Sequence, residues 1–336
     1  HSNRKENIYK LSAEIGIDLG TATTIVYVKG KGIVALEPSI VAINKHDENY
    51  FKIGTEAYKM LGRTPNHIEL IRPLEEGVIS NFKIALRLLR HYIKKYSTSF
   101  SQPKIMICVP SQVNDIEKRA VIDAAMQAGA GKVYLIEEPV AAALGSGIDI
   151  TKPSGNLIVD IGGGTTDIAV VANKGSVLSS TINIASSKFD ETIIAHIKRK
   201  YKVLIGPRTA EDIKIAIGGV MPVDQNLKKI VTGRDLVTGL PKVIEISTVE
   251  IMEILRPKAI EIAETVKTII EKTPPEMLEG IKTKGIYMTG GGSLLYGMDK
   301  LIEEYTKIST KIAEEPVLCV AYGAGKAIDD LKSINQ

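Results

Sequence analysis

The feature that most constrains this chain is a short pattern that occurs twice. Residues 15–28, Ile-Gly-Ile-Asp-Leu-Gly-Thr-Ala-Thr-Thr-Ile-Val-Tyr-Val, read as strand, tight turn, strand. Residues 158–170, Ile-Val-Asp-Ile-Gly-Gly-Gly-Thr-Thr-Asp-Ile-Ala-Val, read the same way. Asp18, Gly20, Thr23, Thr24 and Val28 map onto Asp160, Gly162, Thr165, Thr166 and Val170 at one constant offset of 142 residues. Apolar β-branched residues flank both turns, as a buried hairpin requires. Five matches in a single register predict two related lobes.

The remainder alternates strand and helix, which puts the chain in the α/β class. Strand is expected over 31–43, 104–109, 133–136, 242–246 and 285–289. Helix is expected over 81–96, 115–128, 140–144, 189–200, 209–217 and 318–331, and over 249–272 with a kink or break at Pro257. The turn-rich stretch 149–155, with Pro153, marks the boundary between lobes, and no long linker separates them. The segment 218–242, with Pro222, Gly233, Gly239 and Pro241, reads either as an elaborated hairpin or as a plain surface loop.

Composition narrows the function classes. A length of 336 residues suits about two domains. With 44% hydrophobic and 24% charged residues the chain is not disordered. No uncharged apolar run approaches the ~20 residues of a membrane span. Lys+Arg 43 against Asp+Glu 39 gives +4, too mild to point to nucleic acid. Trp is absent and aromatics are 5%, which argues against base-stacking platforms. Cys108 and Cys319 sit in apolar runs and read as free core thiols of a reducing compartment. The N-terminus is polar through Lys10 and shows no signal peptide. His46, His67, His91 and His196 are scattered and are expected at the surface.

Three strands run into small-residue turns: Asp18 to Thr23, Asp160 to Asp167, and Thr289 to Ser293. Glycine admits a ligand close to the backbone, and consecutive N–H groups form an anion-binding nest. Each hairpin is headed by an Asp, which would repel a phosphate. Two such carboxylates facing each other could instead hold hydrated Mg²⁺, which bridges to phosphate oxygens. The pair therefore reads as a clamp on a nucleotide polyphosphate. The plainer alternative, tight hairpins and nothing more, suits one such turn better than three. No Gly-x-x-x-x-Gly-Lys-Ser/Thr, dinucleotide fingerprint or Gly-x-Ser-x-Gly elbow occurs.

The hairpins, Ile136 to Ala143 (Ile-Glu-Glu-Pro-Val-Ala-Ala-Ala), Gly206 to Lys214 and Thr289 to Leu295 resemble the actin, sugar-kinase and heat-shock-chaperone ATPase superfamily. Within it the chain is most similar to the MreB family of bacterial actins, over about residues 13–331. The resemblance implies a duplicated, ribonuclease-H-like α/β fold with four subdomains around an ATP cleft. Lobe I would span 1–150, with a small subdomain at about 33–75 and with 317–336 returning to it. Lobe II would span 151–316, with a small subdomain at about 188–247.

It also implies roles. Asp18 and Asp160 match the metal-side carboxylates, acting through water. Gly20, Thr21, Ala22 and Thr23 match the first phosphate loop, and Gly162, Gly163, Gly164 and Thr165 the second. Glu211 and Lys214 match positions near ribose and base, and Gly290, Gly291, Gly292 and Ser293 the adenosine loop. Glu138 matches the residue that orients the attacking water, with Thr166 or Thr165 opposite; otherwise it reads as an acid stabilised at a helix start. ATP or ADP and Mg²⁺ are the implied cofactors, and slow ATP hydrolysis the implied activity.

The implied partners are further copies in a filament, other actin-like paralogues and an anionic membrane surface, but not nucleic acid. The implied location is cytoplasmic, peripheral at the inner face of the membrane. The basic, amphipathic run 83–95 reads as a core helix with a solvated face or as a lipid-binding surface, and residues 96–100, with Tyr96 and Phe100, as an anchoring loop. Residues 2–10 are too polar for much insertion. Two departures from the family pattern stand out: Asp167 replaces the usual Glu, and Ser186-Ser187-Lys188 replaces Gly-Asp-Glu. Two other readings stay open: a small-molecule kinase of the same fold, and a nucleotide-binding scaffold with weakened hydrolysis.

Overall fold

Each repeat opens a sheet of the same design. The structure, a computed structural model, describes residues 12–47, 51–97 and 102–334. In the first half, β1 (Glu14–Leu19), β2 (Thr23–Val28) and β3 (Gly32–Pro38) form an antiparallel meander. A small outer region follows: β4 (Val41–Asn44), β5 (Phe51–Ile53), α1 (Thr55–Tyr58) and β6 (Ile68–Ile71), then the short pair β7 (Leu74–Glu75) and β8 (Val78–Ile79). The chain returns through α2 (Phe82–Tyr96), β9 (Lys104–Val109), α3 (Asp115–Gln127), β10 (Lys132–Glu137) and α4 (Glu138–Gly145). β9 and β10 add in parallel, giving the order β10-β9-β1-β2-β3.

The second half repeats the plan. β11 (Asn156–Ile161), β12 (Thr166–Ala172) and β13 (Gly175–Ile182) form the meander. Then come α5 (Ser186–Tyr201), β14 (Val203–Leu204), α6 (Pro207–Ile217), β15 (Lys228–Asp235), β16 (Pro241–Ser247), α7 (Thr248–Lys272) and α8 (Pro275–Lys284). β17 (Ile286–Thr289), a 3₁₀ turn at Gly291–Leu294, α9 (Met298–Thr306), β18 (Thr310–Ile312) and α10 (Cys319–Ile334) complete the fold. β17 and β18 add in parallel, giving β13-β12-β11-β17-β18. The offset seen in the sequence holds in register. Ile17 faces Val26 and Asp18 faces Ile25 in the first hairpin; Val159 faces Ile168 and Asp160 faces Asp167 in the second.

Local chemistry explains the helices that border the cleft. α2 starts where the Asn81 side chain accepts the Ile84 amide at 3.1 Å. It buries Ile84, Leu88, Leu89, Tyr92 and Ile93, an i, i+4 stripe. Its apolar face is therefore spent on the core, and the basic residues Lys83, Arg90, Lys94 and Lys95 remain exposed. Tyr96 also turns inward, its hydroxyl donating to the Val34 carbonyl at 2.9 Å. The rest of the anchoring loop, with Phe100, and the N-terminal residues 2–10 lie outside the described residues. α3 carries a reciprocal capping box between Asn114 and Glu117.

One expectation is narrowed and one needs correction. Of the kink or break expected at Pro257, the break does not occur: α7 runs through it as one helix. Its inner face buries Ile251, Leu255, Ile262, Val266 and Ile269, and burial at about 1.5–3 kcal/mol per large side chain outweighs the ~3 kcal/mol of an internal proline. His196 is not at the surface: its side chain is 11% exposed, and Nε2 lies 2.7 Å from Glu250 Oε1. The segment 218–242 contributes one arm of a real hairpin, β15–β16. Both cysteines are buried and free. Among the described residues no helix is long and apolar enough to cross a membrane.

α10 packs on β1, β2 and β9, while α4 reaches β11 and β12, and the two helices cross in backbone contact. A Cβ at Gly145 would run into the Cys319 carbonyl, and one at Gly323 into the Ala141 carbonyl. The shared core here holds Val140, Ala141, Ala142, Ala143, Val320 and Ala324. Small residues let the two helices, and hence the two sheets, approach this closely.

Candidate functional site

The two glycine turns face each other. Each is closed by the same backbone bond, Gly20 N–H to the Thr23 carbonyl at 3.1 Å and Gly162 N–H to the Thr165 carbonyl at 2.9 Å. A Cβ at Gly163 would collide with Ala22, and one at Gly164 with Thr21. The glycines are thus required where the turns touch, quite apart from any ligand. Between and below the turns lies a cavity of about 80 Å³. Asp18, Gly20, Thr21, Ala22 and Thr23 line it from one side, Asp160, Gly162, Gly163, Gly164 and Thr165 from the other, with Glu138, Gly290 and Gly291 at its base.

A second cavity of about 350 Å³ shares Gly291 with the first. Glu211 and Lys214 from α6 and Ser186 at the start of α5 provide its polar wall. Ile215, Leu294, Leu295 and Tyr296 provide an apolar one. Lys214 is fixed by Asp190 at 2.9 Å and by the Ser186 carbonyl at 3.2 Å. The trough is therefore acidic and glycine-lined at one end, apolar with a few polar groups at the other. That polarity suits a ligand with a charged tail and a flat heterocyclic head.

Four carboxyls crowd the acidic end. Burial, with the charge of Asp160 next to it, pushes Asp18 up to about 8. Burial pushes Asp160 up to about 7, against the opposing effect of the Thr289 hydroxyl, which donates to it at 2.7 Å. Glu138, the first residue of α4, is held well above the usual carboxylate range by burial and then by the charges of Asp167, Asp18 and Asp160. Asp167 is also raised by burial, though the Ser111 amide and the Thr181 hydroxyl donate to it. Hard oxygen donors with uncompensated buried charge are what a divalent cation would neutralise. Among the described residues no three His, Cys, Asp or Glu side chains converge into a chelate. The donor set therefore fits Mg²⁺ held by one or two carboxylates, with water and phosphate completing its shell, and not a protein-only cage.

Hydrogen bonds also cross the mouth of the trough. The Tyr58 hydroxyl donates to Glu211 Oε2 at 2.8 Å, and Asn183 donates to Glu76 Oε2 at 2.7 Å. On the first side alone, the Gly77 amide donates to the Thr21 hydroxyl at 2.9 Å.

The same architecture is found among solved structures. The chain superposes on MreB5 of Spiroplasma citri bound to ADP with a TM-score of 0.92 and 36% identity, covering 97% of this chain and 99% of that one. The "MamK double helical filament" matches with a TM-score of 0.80 at 22% identity, over 95% and 99% of the two chains, which shows the shared actin-like fold. Residues 12–336 match the family described as "MreB/Mbl protein". The chain belongs to the MreB/Mbl family. Relatives include the cell shape-determining protein Mbl of Bacillus subtilis (strain 168), 46% identical over 96% of this chain and 97% of the relative. The cell shape-determining protein MreB of Escherichia coli (strain K12) is 43% identical over 95% and 94%.

Against this family background, two expected site residues are not on the trough wall. Thr166 is fully buried and its hydroxyl donates to the Ile184 carbonyl at 2.6 Å, so the pleat leaves Thr165 as the cleft-facing threonine. Ser293 is buried too and caps its own turn, donating to the Gly290 carbonyl at 2.6 Å. Gly290 is the residue that turn depends on: φ is +80°, and a Cβ would press on the Ile161 carbonyl and Asp160 Oδ1. The departure at Ser186-Ser187-Lys188 is now readable in part. The Ser186 and Ser187 amides bond to the Gly162 and Gly163 carbonyls, fixing the start of α5 to the second glycine turn. Lys188 turns to Glu191 at 2.9 Å and lines neither cavity. Sequence reasoning missed Gly77, Gly218, Ile215 and Tyr296. Its available signal was the exposed apolar pair Leu294 and Tyr296 beside the glycine run.

Proposed function

We propose that this MreB/Mbl-family chain is a filament-forming bacterial actin homologue that binds ATP with Mg²⁺ and hydrolyses it slowly. One observation carries the reading: glycine turns from the two sheets face each other over a buried cluster of Asp18, Asp160 and Glu138. The solved MreB5 relatives, bound to ADP and to AMPPNP, support it. The residues fit the roles as follows. Backbone amides of Thr21–Thr23 and Gly163–Thr165 would cradle the phosphates, in turns closed by the Gly20 and Gly162 amides. Asp18 and Asp160 would hold Mg²⁺ through water, and the cation would supply charge neutralisation at the phosphates. Glu211 and Lys214 would meet the ribose and base across from Tyr296.

Glu138 then orients water toward the terminal phosphorus and takes its proton. The phosphorus–bridging-oxygen bond breaks, and ADP and phosphate leave. The chain would divide into the two lobes proposed from the sequence, with closure of the trough coupled to end-to-end assembly. Attachment to the inner membrane face would rest on charge from Lys83, Arg90, Lys94 and Lys95, because the apolar face of α2 is consumed by the core. Mixed assembly with paralogues would use the same contacts as self-assembly.

The test joins calorimetry with sedimentation and electron microscopy in Mg-ATP, Mg-ADP and no nucleotide. The expected result is nucleotide binding, phosphate release without an added acceptor, and filaments. Well-folded protein that takes up no adenine nucleotide would sink the proposal.

A further inference from the structure

Asp167 has no assigned part in the function above, yet it is among the most enclosed charged groups of the chain, with no exposed surface. It lies opposite Asp160 on β11 and opposite Thr181 on β13. Its Oδ1 accepts from two sides: the Thr181 hydroxyl at 2.7 Å and the Ser111 backbone amide at 2.8 Å. Ser111 follows β9, so this second bond ties the first sheet to the second. The neighbourhood is tight, since a Cβ at Gly77 would touch both Pro110 and Thr165. Oδ2 is buried with no donor from any N–H or hydroxyl. The Glu138 carboxyl is also in hydrogen-bond contact with Asp167, and the Ser111 and Thr165 hydroxyls lie near the same carboxyl.

We infer that Asp167 is a positioning residue: it holds the Glu138 carboxyl toward the cleft, and its own carboxyl is held from both sheets only while the loop at Ser111 is docked on the second sheet. A buried carboxylate costs several kcal/mol unless its oxygens are satisfied, so a merely structural role would favour Asn or Thr at this site. The arrangement has one oxygen pinned from both sheets, the other buried without a donor, and the carboxyl in contact with the water-orienting acid. Separation of the sheets removes the Ser111 amide and leaves the Asp167 carboxyl tethered by Thr181, so its hold on Glu138 loosens. Closure and chemistry are thereby linked through one side chain, without contact between Asp167 and the nucleotide.

The inference rests on the proposed hydrolysis and is tested beside it, by single-turnover phosphate release and nucleotide affinity in the full chain. Asp167→Ala should lower kcat by about tenfold or more and leave the Mg-ATP dissociation constant within about threefold. Asp167→Asn keeps an acceptor for Ser111 and Thr181 and offers an N–H to Glu138, so it should restore most of the loss. Ser111→Pro removes the docking amide together with the Ser111 hydroxyl, outside any strand, and should reproduce the fall in kcat even where the alanine variant fails to fold. Val171→Ala in the same strand controls for stability alone and should keep wild-type kcat. Equal kcat in Asp167→Ala, Ser111→Pro and Val171→Ala would overturn the inference while leaving the hydrolysis reading intact. Wild-type protein that binds ATP but releases no phosphate would overturn both.

Discussion

The two glycine hairpins are copies in backbone and opposites in chemistry. In the first, the residue beside Asp18 on the parallel neighbour strand is Cys108. In the second, the residue beside Asp160 is Thr289, whose hydroxyl donates to the carboxylate. Across the antiparallel partner, Asp18 faces Ile25 while Asp160 faces Asp167. The carboxyl without a hydroxyl donor is the one raised further, to about 8 against about 7. A duplicated backbone thus supplied two cradles, and substitutions at matched positions divided the work. The second hairpin carries the hydrogen-bonded acid and, with α4, the groups suited to chemistry. The first carries an acid without a hydroxyl donor and a hydroxyl-rich turn suited to gripping.

The largest expected effect tests that division. Glu138→Gln should cut phosphate release by about a hundredfold or more with binding retained, whereas Thr21→Ala should weaken binding by less than about tenfold with kcat retained. Equal effects on kcat would break the comparison.

Next is the pH response of the nucleotide-free protein. Both aspartates are raised in the fold above their ordinary 3.8, so between those limits the folded state holds more protons than the unfolded one. Their contribution to stability is full below about pH 4 and is lost as pH rises through 7 to 8. Melting temperature should fall by several degrees between pH 6 and 8.5, and Mg-ATP should flatten the fall. A curve that rises over this range would contradict the proposed charge burial.

Smaller effects come from exchanging the matched neighbours. Thr289→Val strips Asp160 of its donor and should cost about 1–3 kcal/mol, seen by denaturant unfolding at pH 7.5. Cys108→Thr offers Asp18 the hydroxyl its copy enjoys and should stabilise by no more than about 1 kcal/mol at the same pH. If the threonine variant leaves the pH dependence of melting unchanged, the missing donor is not the source of the difference between the acids.

The sequence made legible whatever repeats or lies close along the chain. Asp18, Gly20, Asp160 and Gly162 could be placed on facing turns because one offset related them, and register preserved that offset. The choice between Thr165 and Thr166 was not legible, because it depends on which residue starts the strand and so which face each takes. Tyr58 with Glu211 and Ser111 with Asp167 meet across 153 and 56 residues of chain. No local pattern encodes such a meeting. His196 was misread for the same reason: its partner, Glu250, belongs to another helix. The wall formed by Ile215, Leu294 and Tyr296 escaped notice because apolar residues lining a ligand cavity look, in sequence, like any partly covered surface.

The contact between Gly145 and Cys319, and between Gly323 and Ala141, leaves α4 and α10 touching along bare main chain. Such a joint has almost no slack for sliding, because any translation drives one peptide into the next. Pivoting about the crossing point is the cheap motion. A methyl group placed at either glycine would act as a doorstop, setting how far the halves can swing regardless of what the cleft contains.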